Sequence, residues 1–379
     1  MKSVVIAAYA RSPQTFAFKG GLSKVRADTM AAQVVTGLLA KTAIEPNTLE
    51  DLIVGCAFPE GEQGLNIARL IGLMAGLPQT VSGVTVNRFC GSSMQAIHMA
   101  AGAIQMNAGE AFICAGVESM SRTPMGGYNP MPNPALFARL PQAYISMGET
   151  AENVAELYKL SRQQQDDFAL HSQQKANTAQ QHGYFKDEII PINTPHADLH
   201  SDGCIRANSS REDLQKLKPA FLTSGTVTAA NSSPLSDGAS ATLVCSEDYA
   251  KRHQLTALAR IKSIATAGCA PETMGLGPIL ASEKALQRAG LVIADIDIVE
   301  INEAFASQAI ACIQQLKIDN TRVNIDGGAI ALGHPLGATG ARITGKAAAL
   351  LQRNNKQYAL ATQCIGGGQG IATILEAIS

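Results

Sequence analysis

The sequence predicts an α/β fold built from two similar halves, with a long insertion in the first. Three observations carry this. Short apolar runs that read as strands alternate with helical runs in both halves, a pattern that calls for a sheet with helices on its faces. The same order of segments returns roughly 240 residues further on, a long-period duplication rather than a solenoid repeat. Between the halves the composition turns to Pro, Gly, Asn and Met, as in Pro124-Met125-Gly126-Gly127-Tyr128-Asn129-Pro130-Met131-Pro132-Asn133-Pro134. The division expected is 1–118 for the first part of the N-terminal half, 119–245 for the inserted loop domain and the return to that half, and 246–379 for the C-terminal half.

In chain order, Met1 to Ala10 reads as a first buried strand. Its apolar stretch is about seven residues, the lower limit for a signal peptide. Leu38 to Ile44 ends a helix and leads to a strand at Leu49–Val54. Val84–Asn87 is a strand, Gly91–Met106 a helix and Ala111–Ala115 a strand. Met94, Ile97, Ala101 and Ile104 recur at helical spacing and Ala96, Ala100 and Ala103 fill another face, so this helix is buried nearly all round. The second half answers with a helix end at Ala285–Leu291, strands at Asp295–Val299 and Val323–Asn324, a helix near Gly337–Gln352 and a strand at Tyr358–Thr362. In the insertion, Ser161 reads as the N-cap of a polar helix to Gln181, with Gly183 as its stop.

Charge and cysteine use exclude several classes. The formal net charge is −1 and charged residues make up 16%, too balanced for a basic nucleic-acid or membrane-surface binder. No apolar run is long enough to span a bilayer. The eight cysteines are scattered with no C-x-x-C pair, which reads as reduced thiols in a cytoplasmic protein. His196, His200 and Cys204 have the spacing of metal ligands on a helix, but Pro195 and Gly203 make this stretch a surface loop. His98 lies eight residues after Cys90, about 12 Å along a helix, too far to exchange a proton with it. It reads as a satisfied buried or interfacial histidine.

Four segments could carry chemistry. In Asn87-Arg88-Phe89-Cys90-Gly91-Ser92-Ser93-Met94 a cysteine sits between a strand and a buried helix, on the helix's first turn, where free N–H groups and the helix dipole favour a thiolate. Gly333-His334-Pro335 places a histidine in a glycine-rich loop, suited to acid–base work. Glu300-Ile301-Asn302-Glu303-Ala304-Phe305-Ala306 sets polar residues at a strand end. Gln363-Cys364-Ile365-Gly366-Gly367-Gly368 sets a second cysteine at a strand end. If the halves pack about a pseudo-twofold axis, Cys90 and Cys364 fall on the same side of the fold.

These blocks, in this order and spacing, resemble the thiolase family, the coenzyme A-dependent enzymes that cleave 3-ketoacyl-CoA or condense acetyl-CoA. Met147-Gly148-Glu149-Thr150-Ala151-Glu152 and Thr226 to Ser233 extend the resemblance over the whole chain. It implies a five-layer αβαβα arrangement of two similar halves with a loop domain inserted in the first. It implies Cys90 as nucleophile, His334 as its base, Cys364 as second acid/base, and an enolate oxygen held by His334 and a water fixed by Asn302. Backbone N–H groups of Cys90 and Gly366 would hold the thioester oxygen. Arg206 would stack on the adenine of coenzyme A and Ser233 would contact pantetheine. Phe221, Met147, Met274 and Phe305 would wall the tunnel, and Ser146, where the biosynthetic branch commonly carries histidine, would leave room for an acyl chain. Coenzyme A enters as a substrate, and no resident cofactor or metal is expected. Partners implied are acyl-CoA, coenzyme A, a second copy in a homodimer or homotetramer, and another subunit of fatty-acid oxidation. The degradative reaction is favoured. Acetoacetyl-CoA synthesis is the alternative, and a non-catalytic acyl-CoA or lipid-binding protein the remote one.

Overall fold

The computed structural model describes residues 2–194 and 197–378. The first half opens with β1 (Val4–Arg11), β2 (Thr15–Phe16), α1 (Ala27–Thr42), β3 (Asp51–Gly55), α2 (Ile67–Met74), β4 (Ser82–Val86), α3 (Ser92–Gln105) and β5 (Ala111–Ser119). The insertion carries α4 (Pro134–Arg139), α5 (Met147–Leu157), α6 (Arg162–Gln181) and α7 (Arg211–Gln215), and the half closes with β6 (Ser236–Ser246) and α8 (Glu247–Arg252). The second half contains β7 (Ala259–Gly268), α9 (Gly277–Ala289), β8 (Ile298–Ile301), α10 (Ala306–Leu316), α11 (Ala329–Leu332), α12 (Thr339–Asn354), β9 (Tyr358–Ile365) and β10 (Gln369–Glu376).

The strand order is β4-β3-β5-β6-β1-β7-β10-β9-β8, with β2 paired to β6. The duplication is written in it. In the first half β3 is parallel to both β4 and β5, and β5 is antiparallel to β6. In the second, β8 is parallel to β9 and β9 is antiparallel to β10. The strand expected at Val323–Asn324 is reduced to a single parallel bridge from Val323 to Val299, the position that β4 holds beside β3. Between the halves, Val5 pairs with Arg260 and Ile6 with Ala259, so the hydrogen bonding runs on from one half's strands to the other's.

Alternating side chains sort the strands' two faces. Leu52 and Val54 of β3 pack with α1 and α2, whereas Ile53 packs with Ala96, Ile97 and Ala100 of α3. In β8, Val299 and Ile301 pack with α9 and α10, and Ile298 faces Ile343 and Ala347 of α12. The layers are therefore α1 with α2, the first half's strands, α3 with α12, the second half's strands, and α9 with α10. The middle helices pack on each other and on strands of both halves. Gly340 makes this close approach possible, because a Cβ there would lie 2.3 Å from the Met94 backbone nitrogen.

Local signals set the ends of the elements. Ser161 and Gln164 form a capping box at the start of α6, and Gly183 follows with φ +73°. Gly290 ends α9 in the left-handed region at φ +68°. Buried ion pairs hold the insertion to both halves. Arg11 of β1 binds Asp202 (2.7 Å) and Glu188 (2.8 Å) of the insertion, and Glu188 also binds Lys346 of α12 (3.0 Å). Lys346 continues to Asp326 (2.6 Å) and Asp326 to Arg353 (2.7 Å).

Candidate active site

Because β3, β4 and β5 run parallel, as do β8 and β9, their C-terminal ends gather the loops that follow them. This is where ligands bind in such sheets. Cys90 comes just after β4. Before it, Phe89 adopts φ +42°, a conformation costing a non-glycine residue on the order of 1–2 kcal/mol. Asn87 Oδ1 accepts from the Phe89 N–H (2.8 Å) and Ser92 Oγ donates to the Phe89 carbonyl (2.5 Å), which holds the elbow. α3 begins at Ser92 with Gly91 as N-cap, so Cys90 precedes the helix rather than lying in its first turn. The expected stabilisation of a thiolate by the helix end does not dominate. Burial pushes the Cys90 thiol up to about 11, while the N–H groups of Gly366 and Cys90 itself pull it down.

Those two N–H groups are the pair expected to hold a thioester oxygen, and both face the Cys90 sulfur. Gly366 follows β9, and the turn continues through Gly367 and Gly368 at φ +80° and +86°. Cys364 lies in β9, fully buried, and burial followed by the nearby Cys90 pushes its thiol well above the usual range. Gln363 Nε2 donates to the Cys90 carbonyl, tying β9 to the elbow.

His334 stands between Gly333 and Pro335 in the link from α11 to α12. Gly333 has φ +104°, and a Cβ there would sit 2.9 Å from Ser236 Oγ, which accepts the His334 N–H at 2.8 Å. His334 Nδ1 meets Thr339 Oγ1 at 2.6 Å and Nε2 meets Asn302 Nδ2 at 3.3 Å. An amide nitrogen can only donate, so Nε2 is the acceptor and the ring proton sits on Nδ1. Burial, then the charge of Arg342, lowers the imidazole to about 3 and keeps it neutral. Asn302 follows β8, its N–H donates to the Thr362 carbonyl of β9 (3.0 Å), and its Oδ1 is buried without a protein partner.

The structure thus brings Cys90, Cys364 and Gly366 together, pairs His334 with Asn302, and ties Asn302 to β9 at Thr362, two residues before Cys364. Met274, Phe305 and Cys364 share an apolar cluster, with Met147 packed against it. Phe221 meets Phe305 edge-on at 5.9 Å. Ser233 is half-buried, its N–H donating to the Ala304 carbonyl (2.9 Å) next to Phe305. Arg206, half-buried, lines a cavity of about 200 Å³ with Gln173, Asp213, Leu214 and Leu217. Arg211 and Lys216, further along the insertion, are engaged by Asp167 and Asp213. Ser146 is exposed and caps α5. Its Oγ accepts the Glu149 N–H at 3.3 Å and donates to the Glu149 carboxylate at 2.6 Å.

His98 is buried against Thr373 Oγ1 (2.8 Å) in the middle of the fold. Cys204 is buried and His200 exposed, while His196 lies outside the described residues. Among the described residues no cluster of His, Cys, Asp and Glu could hold a metal. Sequence reasoning missed Ser236, Thr339 and Gln363. Thr339 had a signal, a hydroxyl five residues after the histidine where the following helix begins.

Family models named Thiolase, N-terminal domain, and Thiolase, C-terminal domain, match residues 4–248 and 255–377. The chain belongs to the thiolase family. It is 45% identical over 389 residues to a 3-ketoacyl-CoA thiolase of Bacillus subtilis (strain 168), covering 99% of this chain and 100% of that one. To the 3-ketoacyl-CoA thiolase of Pseudoalteromonas translucida (strain TAC 125) it is 46% identical, with 100% of both chains covered. The crystal structure of human mitochondrial 3-ketoacyl-CoA thiolase in complex with CoA superposes with a TM-score of 0.92 at 38% identity, covering 100% of this thiolase and 98% of that chain.

Proposed function

We propose that this thiolase is an acetyl-CoA C-acyltransferase that cleaves 3-ketoacyl-CoA with coenzyme A in fatty-acid β-oxidation. The observation that carries the reading is the meeting of two buried thiols, Cys90 from one half and Cys364 from the other, in a fold that also holds a buried neutral histidine with Nε2 as an acceptor. His334 Nε2 takes the Cys90 proton, and the sulfur adds to the 3-keto carbon. The C2–C3 bond breaks, leaving its electron pair on the thioester enolate, and the Cys364 thiol protonates C2 to release acetyl-CoA. Coenzyme A then gives its thiol proton to the Cys364 thiolate and attacks the acyl carbonyl. Cys90 leaves and recovers its proton from His334, so the protons balance over the cycle.

Asn302 Oδ1, buried with no protein partner, suits a water that would share the enolate oxygen with His334. The Gly366 and Cys90 N–H groups would hold the acyl oxygen. Pantetheine would pass Ser233, Phe221, Met147, Met274 and Phe305, and adenine would lie on Arg206, whose planar cation stacks on a base. Coenzyme A is a substrate here, and no resident cofactor is required.

Relatives named 3-ketoacyl-CoA thiolase support the degradative direction over acetoacetyl-CoA synthesis. No helix among the described residues is long and apolar enough to cross a membrane, and a cytoplasmic homodimer or homotetramer, able to join another fatty-acid-oxidation subunit, is the expected state. β4 stands at the end of the strand order with its outer edge unpaired, a place for a second copy. The deciding experiment is thiolysis with coenzyme A over a series of 3-ketoacyl-CoA lengths. Absence of cleavage at every length overturns the reading.

A further inference from the structure

We propose that Glu118 is a positioning residue of acyl transfer, its carboxylate holding the loop that carries His334 in register with the loop beside Cys90. The proposal rests on the thiolase reading of the site. Glu118 is the penultimate residue of β5 and is 1% exposed. Its Oε2 accepts from the N–H groups of Ala57 (2.8 Å) and Gly337 (3.0 Å). Its Oε1 accepts from Gln63 Nε2 (2.8 Å), the Phe58 N–H (3.3 Å) and Cys56 Sγ (3.7 Å). Ala57, Phe58 and Gln63 follow β3 in the first half, whereas Gly337 lies three residues after His334 in the second. One carboxylate therefore joins the halves at the level of the reacting groups.

The partners are all donors. A carboxylate, which only accepts, suits them all at once, whereas an amide in its place would turn hydrogens toward N–H groups. The loop sits directly on this anion, because a Cβ on Gly337 would lie 2.9 Å from Glu118 Oε2 and 2.8 Å from the Cys56 Cα. Leu336, on the same turn, and Ala57 pack in one cluster with Cys90. A shift of either loop thus displaces a neighbour of the nucleophile, and a misplacement of ~1 Å is enough to lower a rate on the order of a hundredfold. The carboxylate also acts through its charge. The titratable groups set around Cys90 are Glu118 from β5, Cys364 from β9 and, in the proposed mechanism, the neutral His334 from the link before α12. Glu118, whose own carboxyl is raised by burial and lowered by its donors, opposes formation of the thiolate.

The test is Glu118→Gln in the full chain, assayed for thiolysis of 3-ketoacyl-CoA and for alkylation of Cys90 by iodoacetamide across pH. The expected result is a fall in kcat of roughly 30-fold or more, with the KM for coenzyme A within about twofold. The alkylation profile should move to lower pH, because a negative charge near the thiol has been removed. Glu118→Asp keeps the charge and should lose kcat while leaving the profile in place. An unchanged kcat in Glu118→Gln, or a lost kcat with an unmoved profile, overturns the proposal. Should Glu118→Gln not fold, Gln63→Met decides. It removes one donor and keeps the anion, so a reduced kcat at an unaltered KM supports the proposal and an unaltered kcat rejects it. If the wild-type protein cleaves no 3-ketoacyl-CoA, the thiolase reading fails, and the alkylation profile still reports on Glu118.

Discussion

His334 Nδ1 and Thr339 Oγ1 lie 2.6 Å apart, at opposite ends of the turn that leads into the central helix α12. With Asn302 donating to Nε2, the Thr339 oxygen accepts the Nδ1 proton and holds the ring, which in the proposed mechanism leaves Nε2 as the base. Thr339→Val preserves shape and removes the oxygen. A hydrogen bond to a group that becomes charged is worth about 1.5–3 kcal/mol, so kcat should fall roughly 10- to 150-fold with the KM for coenzyme A little changed. Wild-type kcat in this variant would show that the hydroxyl does not orient the base.

Cys90 is held as a thiol at neutral pH, since burial raises it to about 11. Iodoacetamide should therefore label Cys90 about tenfold faster per pH unit through the neutral range, and acetyl-CoA should protect it. A plateau below pH 8 would mean that a thiolate is already present. Cys90→Ser should abolish thiolysis and leave coenzyme A affinity nearly intact.

Cys364→Ala separates the two thiols. Transfer of acetyl from acetyl-CoA to Cys90 needs only His334 and should persist, visible as an acetylated protein by mass spectrometry. Exchange of the acetyl methyl protons, and carbon–carbon bond formation, should stop. Full-rate condensation would assign the second acid/base elsewhere. His334→Ala should lose both half-reactions.

Glu300, buried on β8 with Oε1 unpartnered, has its carboxyl raised by burial to about 8 from 4.5. The folded chain holds this proton where the unfolded chain has released it. Stability from the neutral acid is complete below 4.5 and drains away as pH rises toward 8. Glu300→Gln removes that loss. Its advantage over wild type, read from denaturant midpoints, should grow from pH 5 to pH 8, and a constant gap would contradict the burial argument. His98 and His334, both lowered to about 3, drive the opposite trend, but they are common to the two proteins and cancel in the difference.

Acyl length should matter. Each buried methylene adds about 0.8 kcal/mol, so medium-chain 3-ketoacyl-CoA should be cleaved at least as efficiently as acetoacetyl-CoA. Ser146 adjoins Met147, which packs against the cluster around Cys364. Ser146→His should narrow the range toward four carbons and, by losing the cap on α5, cost about 1 kcal/mol of stability. Activity restricted to acetoacetyl-CoA in the natural protein would favour the biosynthetic reading.

The duplication was legible because it lives in local patterns. The helix ends at Ala43 and Gly290 and the apolar strands that follow repeat each other without any knowledge of contacts. Val323 was not legible as a lone bridge, since a two-residue apolar signal cannot say how many partners a strand will find. Cys90 and His334 stood out by chemistry in unusual loops. Glu118 lies beyond the strand read at Ala111–Ala115 and carried no signal, for its bond to Gly337 spans 219 residues. Arg11 and Asp202 are 191 apart. Contacts of that range leave no periodicity to read.

The ion-pair ladder from Asp202 through Arg11, Glu188 and Lys346 to Asp326 bears on how this protein can be recombined. From Asp202 to Lys346 its members alternate between the insertion and the scaffold, and each carboxylate is buried. A loop domain transplanted from a relative would bring its own acids to meet Arg11 and Lys346, or strand Arg11 without a counter-charge and leave Lys346 only Asp326, at a cost of several kcal/mol per lost partner. The exchangeable module is therefore larger than the loop. A chimera that moves residues 119–235 should express and dock only when the positions of Arg11 and Lys346 travel with it.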